Sequence, residues 1–303
     1  MSSLTTVMIV IAGPIVTMIV KKPATALLIR MSRFWLENYL VKSDSHQKLH
    51  QGDAKGRNPS EANTISDVSK PVLSAVMPVS RMAGKLSHLK PLLDRCVLLG
   101  IEIVIVHDEQ DSQTGGELKE IITSVNSEMI SLITKSLFSP GKARNLGIEI
   151  ATGEWICFWD SDDYPIAENF LEMVIQAKKS EYKIAAGKFR QISGDVRKVY
   201  GNAEFEVGRM PGIWRFAFKN ECIKGRTFPK YRMGEDQVFL ATILISAQGY
   251  FKYEGIVYEY RCENPGQLTK NREAISDLEF AIKDMLEVIT IPEIGVRVVP
   301  TLL

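Results

Sequence analysis

Cysteine and histidine are scarce in this 303-residue sequence, which has four residues of each type. The cysteines form no CxxC pair and lie far apart, at Cys96, Cys157, Cys222 and Cys262. This spacing indicates neither a disulfide framework nor a zinc site. The formal net charge is only +1, and no long stretch interleaves basic and aromatic residues. We therefore expect no nucleic acid as a partner.

Apolar residues are plentiful, at 45% of the chain, and charged residues make up 24%. A chain of this length and composition can bury a sizeable core as one large domain or two small ones. The sequence shows no internal repeat.

An uncharged, mostly apolar run of seventeen residues occupies positions 4–20. This length is at the short end of a membrane span. Lys21 and Lys22 follow the run, whereas a cleaved signal peptide carries its positive charge before it, so a spanning segment would place the bulk of the protein on the cytoplasmic side. Pro14 and the marginal length leave a buried or interfacial helix as the alternative. We expect residues 1–42 to associate with the cytoplasmic face of a membrane. If they do not, we expect the protein to be cytoplasmic.

The rest of the chain divides by composition into three parts. Residues 43–70 are polar and rich in helix breakers, which is typical of a linker. In residues 71–290, short apolar runs alternate with helical patterns, and this predicts an α/β domain with a mostly parallel central sheet flanked by helices. We predict four successive strands near residues 72–79, 101–106, 129–134 and 154–159. Residues 291–303 form a C-terminal tail.

Helix signals separate these predicted strands. Gly100 suits the left-handed position after a helix over residues 85–99. A second helix is predicted near residues 117–125. Ser139 can cap a third helix, in which Pro140 takes the first position.

Segments with polar side chains lie at the ends of three of the predicted strands, at positions 78–81, 107–109 and 160–163. Ligands of open parallel sheets bind beyond the carboxyl ends of the strands. The sequence therefore predicts one site at that edge of the sheet.

The third of these groups is the sequence DSDD. Asp160 and Asp162 point to the same side if the chain stays extended, and two adjacent carboxylates remain ionised most simply beside a hard cation such as Mg²⁺ or Mn²⁺. One alternative is that the aspartates start a turn and cap the helix predicted over residues 167–178. A phosphatase of the haloacid dehalogenase type also places DxD after a strand. That alternative is disfavoured because here the motif follows the fourth strand and leads into Tyr164 and Pro165.

The longer segment FSPGKARNLGIEIATGEWICFWDSDDYP resembles family 2 glycosyltransferases, in which an Ala-Arg-Asn helix start leads to a strand and a DxD motif. Four further segments resemble the family in order: SAVMPVS, IEIVIVHDEQDSQT, GEDQVFLATIL and VYEYRCENPGQLT. The resemblance covers about residues 70–271. It implies a single catalytic domain of the GT-A type and inverting transfer of a sugar from a nucleotide-diphosphate sugar to an acceptor hydroxyl. Surface polysaccharide or glycolipid synthesis is the implied setting, with a saccharide or glycolipid acceptor.

The resemblance also implies roles for individual residues. Asp162, helped by Asp160, would hold the divalent cation at the leaving diphosphate. Asp236 would be the general base, and Glu235 would lie next to it. The sequence does not decide which residue of this acidic pair is the base. An ordinary helix-start carboxylate is the alternative for Asp236. The expected substrate-binding residues are Pro78, Ser80, Asp108, Lys142, Arg144, Asp163 and Trp214.

Three of these assignments have a simpler alternative. Lys142 and Arg144 would add positive charge at the diphosphate, or would be solvated surface charges. Trp214 would stack on a sugar, or would be a core aromatic residue.

Two segments depart from the family pattern where the family holds the nucleoside. Val79, Ser80 and Arg81 stand in place of Val-Tyr-Asn, and residues 107–110 read His-Asp-Glu-Gln in place of Asp-Asp-Gly-Ser. Two alternatives to transfer remain: a degenerate protein that binds nucleotide sugar without turnover, and a nucleotidyltransferase of related fold. The loop after the first strand lacks the glycine density typical of the latter.

Overall fold

The computed structural model describes residues 4–10, 15–21, 70–137, 139–201, 212–247, 249–262, 277–281 and 283–284. Several parts of the predicted organisation lie outside these ranges: residues 22–42, the linker over 43–70 except for Lys70, and the tail over 291–303. Residues 263–269 of the last family-like segment lie outside them as well.

The N-terminal apolar run forms two strands. Strands β1 (Leu4–Val10) and β2 (Ile15–Lys21) pair antiparallel as a separate two-stranded sheet. Association of this segment with a membrane stays a prediction. Valine, isoleucine and threonine dominate both described runs, and these residue types favour strands. Within the described residues, no helix has the length and apolar character needed to cross a bilayer.

The first half of the domain is a parallel sheet, as predicted. Its strand order is β5-β4-β3-β6, and every neighbouring pair in it is parallel. The strands are β3 (Leu73–Val79), β4 (Glu102–Asp108), β5 (Ile130–Lys135) and β6 (Trp155–Phe158). The helices that connect them are α1 (Leu89–Leu98), α2 (Ser112–Val125) and α3 (Pro140–Ile150).

Local capping explains where these helices begin and end. Ser139 Oγ accepts a hydrogen bond from Lys142 N at 3.2 Å, and Pro140 opens α3, as predicted. Gly100 follows α1 with φ +67°, the left-handed conformation predicted for it. Helix α2 begins five residues before the predicted position 117, because Asp111 caps it by accepting from Thr114 N.

The second half of the domain makes the sheet mixed. The strand order continues from β6 through β10, β8 and β11 to β7, and β9 pairs with β8. Strand β10 is antiparallel to both of its neighbours, β11 is parallel to β8, and β7 and β9 are antiparallel to their partners. Here the strands are β7 (Tyr164–Pro165), β8 (Ile184–Ser193), β9 (Val196–Tyr200), β10 (Phe216–Lys219) and β11 (Phe251–Arg261).

The expectation of a mostly parallel sheet therefore holds for the first half of the domain and is wrong for the sheet taken as a whole. Among the described strands of this sheet, antiparallel pairs are as numerous as parallel ones. Strand β9 follows β8 through a tight hairpin, and β10 lies between β6 and β8, so none of these pairs has the parallel arrangement predicted for the domain. The remaining helical elements are α4 (Ala167–Ala177), a 3₁₀ turn (Ile213–Arg215), α5 (Asn220–Ile223) and α6 (Glu235–Ser246).

Apolar clusters cover both faces of the sheet. Helices α1, α2 and α4 bury one face through residues such as Leu93, Leu118 and Phe170. Helices α3 and α6 bury the other through residues such as Ile148 and Phe239. The polar site is thereby confined to the edge where β3, β4 and β6 end.

Candidate active site

A wide cleft of about 910 Å³ opens at the carboxyl ends of β3, β4 and β6. The segment that leads into α6 forms its opposite wall. The structure brings into this cleft ten of the predicted site residues: Pro78, Ser80, Asp108, Arg144, Asp160, Asp162, Asp163, Trp214, Glu235 and Asp236. Lys142 lies outside the lining.

Arg144 lies at the centre of the acidic residues. Its Nη2 donates to Asp160 Oδ1 at 2.8 Å, and its Nη1 donates to Glu235 Oε1 at 2.7 Å. The Arg144 side chain is only 6% exposed. Burial by itself would lower the pKa of Arg144, but Asp160 and Glu235 raise it, so the guanidinium stays charged. The alternative of a solvated surface charge is wrong for Arg144.

One face of α3 places Arg144 against the segment that leads into α6. Asn145 exchanges two hydrogen bonds with the Phe228 backbone, donating to its oxygen at 2.9 Å and accepting from its nitrogen at 2.7 Å. Gly141 lies on the same face, and a Cβ there would come within 2.6 Å of Pro229 O and 3.2 Å of Glu235 Cγ. Only glycine allows the helix this close approach.

The aspartate loop after β6 is tied to β11. The Tyr258 hydroxyl accepts from Asp160 N at 3.0 Å, and Asp163 accepts from Arg261 N at 2.8 Å. Asp163 is buried, and burial together with Asp162 and Asp160 raises its pKa well above the usual range. Asp163 therefore anchors the loop, and its binding to substrate stays a prediction.

The aspartates do not act as a helix cap. Ile166 precedes α4, and among the described residues no side chain caps that helix. Asp160 and Asp162 instead line the cleft as half-buried carboxylates.

Glu235 and Asp236 open α6 after Gly234, which has φ +88°. Glu235 is bound to Arg144. Asp236 Oδ1 accepts from Gln237 N at 2.9 Å, so the helix-start role holds in part for this residue. Burial, reinforced by Asp236, raises the pKa of Glu235 to about 7. Burial raises the pKa of Asp236 as well, against the opposing effect of Arg144. The pair therefore holds a proton more tightly than an exposed carboxylate does.

A metal would find two hard oxygen donors in this cleft, Asp160 and Asp162. Among the described residues, no group of three or more His, Cys, Asp or Glu side chains could hold a metal ion. The two aspartates suit Mg²⁺ or Mn²⁺, which take their remaining oxygens from water and phosphate.

The end of β3 and the end of β4 form the wall next to the aspartates. Pro78, Ser80 and Asp108 line this wall. His107 does not reach the cleft, because it is buried, with Nδ1 3.0 Å from Val79 O. A Cβ on Gly115 would approach His107 Nε2 to 2.7 Å, so α2 packs directly on this ring. Of the residues that replace the second strand's family pattern, Asp108 and Gln110 line the cleft.

Trp214 belongs mainly to the core. Its ring stacks on Tyr258 with centroids 4.6 Å apart and on Tyr260 at 5.3 Å. The residue is 4% exposed and contributes only an edge to the cleft. The core alternative thus accounts for its packing.

Sequence reasoning missed several charged and aromatic residues of the cleft. They include Lys85, His88, Arg232, Tyr260 and Arg261, whereas Arg81 belongs to the segment 78–81 predicted at this edge. The Arg261 guanidinium lies 3.9 Å from the Tyr164 ring centroid, and His88 Nε2 lies 2.9 Å from Ser161 O. Arg261 lies in the family-like segment VYEYRCENPGQLT, and this position could have indicated a site residue. No sequence signal indicated His88, because its partner Ser161 is distant in sequence.

Residues 84–234, which include the DxD loop and end at Gly234, match the family model for glycosyl transferase family 2. These residues form a domain of this family.

A curated relative and two solved structures are similar to this chain. The Bacillus subtilis protein "Uncharacterized glycosyltransferase EpsJ" is 25% identical over 222 residues, which are 66% of this chain and 63% of the relative. The structure of S. aureus TarS 1-349 in complex with UDP has a TM-score of 0.58 at 16% identity, covering 73% of this chain and 66% of TarS 1-349. The chain thus spans just under two thirds of each. Mannosyltransferase PcManGT from Pyrobaculum calidifontis, in complex with GDP-Man and Mn²⁺, has a TM-score of 0.52 at 13% identity, covering 87% and 81%.

At these identities the two structures show the fold alone. The domain has the mixed α/β fold of the GT-A type, with the mixed central sheet described above.

Proposed function

We propose that the protein transfers a sugar from a nucleotide-diphosphate sugar to an acceptor hydroxyl, with inversion at the anomeric carbon. One observation carries the proposal. The aspartates that follow β6 and the acidic pair that opens α6 lie in one cleft, and Arg144 contacts both groups. Inverting transfer needs a place for the diphosphate and a carboxylate for the acceptor proton, and this cleft offers both.

The donor diphosphate would bind beside Asp160 and Asp162. A divalent cation held by these carboxylates would neutralise the charge that develops on the leaving diphosphate. The presence of Mn²⁺ with GDP-Man in PcManGT supports a cation of this kind. Tyr258 and Asp163 hold the loop so that Asp160 is already placed before the donor arrives.

The acceptor proton would pass to Asp236. Glu235 is engaged by Arg144 at 2.7 Å, so its carboxylate is committed to an ion pair. One oxygen of Asp236 accepts a hydrogen bond from Gln237 N. The pKa of Asp236 is raised, which suits a group that must take up the acceptor proton. Glu235 then fixes Arg144 and helps to orient the acceptor.

The acceptor would be a hydroxyl of a saccharide or glycolipid, in surface polysaccharide or glycolipid synthesis. Residues 1–42 would keep the enzyme at the cytoplasmic face of a membrane, where a glycolipid acceptor is accessible. Removing residues 1–42 should release the protein from the membrane fraction in a folded form. If the shortened chain stays with the membranes, this segment is not the anchor.

A thermal-shift screen tests the donor proposal. The protein is mixed with a panel of nucleotide sugars, with and without Mn²⁺, because a ligand that binds the native state raises the melting temperature. We expect at least one nucleotide sugar to stabilise the wild type in a Mn²⁺-dependent way and Asp162→Ala to abolish that shift. No Mn²⁺-dependent shift across the panel would contradict the proposal.

The same donor also separates the alternatives. A degenerate protein would bind the nucleotide sugar and release no nucleoside diphosphate with any acceptor. A nucleotidyltransferase would form nucleotide sugar from a sugar phosphate and a nucleoside triphosphate.

A further inference from the structure

We propose that Arg144 is a positioning residue that couples the diphosphate-binding aspartates to the acidic pair of α6. The inference rests on the proposed function, because it assigns donor and acceptor chemistry to the two groups that Arg144 joins. It adds that the aspartates after β6 and the acidic pair that opens α6 do not act independently.

The contacts of Arg144 carry this inference. Two different nitrogens of one guanidinium hold two carboxylates, Asp160 Oδ1 and Glu235 Oε1. These carboxylates belong to separate elements, the loop after β6 and the start of α6. The guanidinium is planar, with its donors in a fixed fork, so the position of one carboxylate sets the position of the other.

The surroundings of Arg144 leave little freedom for it to adjust. The residue is 5% exposed, and its guanidinium carbon lies 5.5 Å from the centroid of the Phe228 ring. Asn145, on the next position of α3, is bonded to the Phe228 backbone. A shift of Asp160 on ligand binding is therefore transmitted to Glu235 through the Arg144 guanidinium, which is held by Asp160, Glu235 and the Phe228 ring.

A lysine cannot replace this arrangement. Its ammonium is a single point charge and cannot present two divergent nitrogens to carboxylates on different elements. Arg144→Lys keeps the charge and removes the fork, which separates charge from positioning.

Binding of UDP in the presence of Mn²⁺, measured by isothermal titration calorimetry, tests the coupling. UDP carries the diphosphate but lacks the sugar that would be transferred, so Glu235 has no transferred sugar to contact. We expect Glu235→Gln to weaken Mn²⁺-dependent UDP affinity about tenfold in the wild-type background, within the usual range of site coupling. In the Arg144→Met and Arg144→Lys backgrounds the same change should have less than about a twofold effect, because the connecting fork is gone.

Arg226→Met provides the matched control background. Arg226 bonds to Cys222 O, Thr242 O and Ser246 Oγ, away from the cleft lining. The tenfold effect of Glu235→Gln should persist there. Equal effects of Glu235→Gln in all backgrounds would overturn the coupling, and so would a tenfold effect that survives in Arg144→Lys.

A urea-denaturation cycle tests the Arg144 contact without any ligand. Arg144→Met leaves a buried carboxylate uncompensated, so it should lower the urea midpoint, and adding Glu235→Gln should raise the midpoint again. Additive midpoints would overturn the proposed link. If the wild type shows no Mn²⁺-dependent UDP binding while the cycle is non-additive, the Arg144–Glu235 contact stands and the coupling to UDP is overturned.

Discussion

Replacing Asp236 by asparagine separates chemistry from donor binding. The asparagine keeps the shape of the side chain, and its amide oxygen can still accept from Gln237 N. It cannot accept the acceptor proton. Transfer at saturating donor should therefore fall by roughly 10²- to 10⁴-fold, the usual contribution of a general base. This loss corresponds to about 3 to 5 kcal/mol of transition-state stabilisation.

Stability should not account for this loss. Asp236 carries a raised pKa because burial disfavours its charge, so a neutral asparagine relieves that cost. Repulsion with Glu235 is relieved at the same time. We expect Asp236→Asn to melt at or above the wild-type temperature.

The assay pairs two measurements on three variants. Transfer rate at saturating donor and Mn²⁺-dependent donor affinity are measured for Asp236→Asn, Asp162→Ala and Glu235→Gln. Asp236→Asn should lose rate and keep affinity, whereas Asp162→Ala should lose both. The reasoning is refuted if Asp236→Asn loses affinity as severely as Asp162→Ala, or if Glu235→Gln alone reproduces the rate loss.

The pH profile of the wild type follows from the same pair. A base works in its deprotonated form, so a raised pKa moves the rising limb of the rate upward from the usual carboxylate range. Burial raises the pKa of Asp236, so this limb should lie above the pH range in which an exposed aspartate titrates. Asp236→Asn should remove this limb.

Three further changes probe the support of the site. Gly141→Ala places a methyl group 2.6 Å from Pro229 O, so it should cost about 1 to 3 kcal/mol of stability and lower transfer, as chemical denaturation and rate assays would show. Trp214→Ala should destabilise the fold by about 3 to 5 kcal/mol, and a loss confined to donor affinity would contradict a core role. Asp277→Asn removes the partner of Arg232, a half-exposed ion pair, and should cost less than about 1 kcal/mol. Arg232 lowers the pKa of Asp277, so this contribution is present above the usual value of 3.8 and disappears as pH falls below it.

The parallel half of the domain and the location of the cleft could be predicted from sequence. Both depend on short-range signals: apolar runs of strand length, Ser139 and Pro140 at a helix start, and polar residues after each strand. Such signals act within a few residues, so the sequence displays them directly.

The remaining features depend on contacts between distant residues. Nothing near Arg144 in the sequence indicates that Glu235 will lie 2.7 Å from it. Asp163 reads as one more site carboxylate until Arg261 of β11 is seen to bind it. The direction of β10 similarly depends on its position between β6 and β8 in the sheet. The parallel pattern of the first half gives no indication that an antiparallel strand lies there.

Following the transferred sugar by NMR tests the central claim most directly. The donor selected by the thermal-shift screen, with an α-linked sugar, is incubated with acceptor, Mn²⁺ and the wild-type protein. The account predicts a β-linked product that accumulates with the nucleoside diphosphate, and almost none with Asp236→Asn. An α-linked product, or release of diphosphate at the same rate by both proteins, would contradict it.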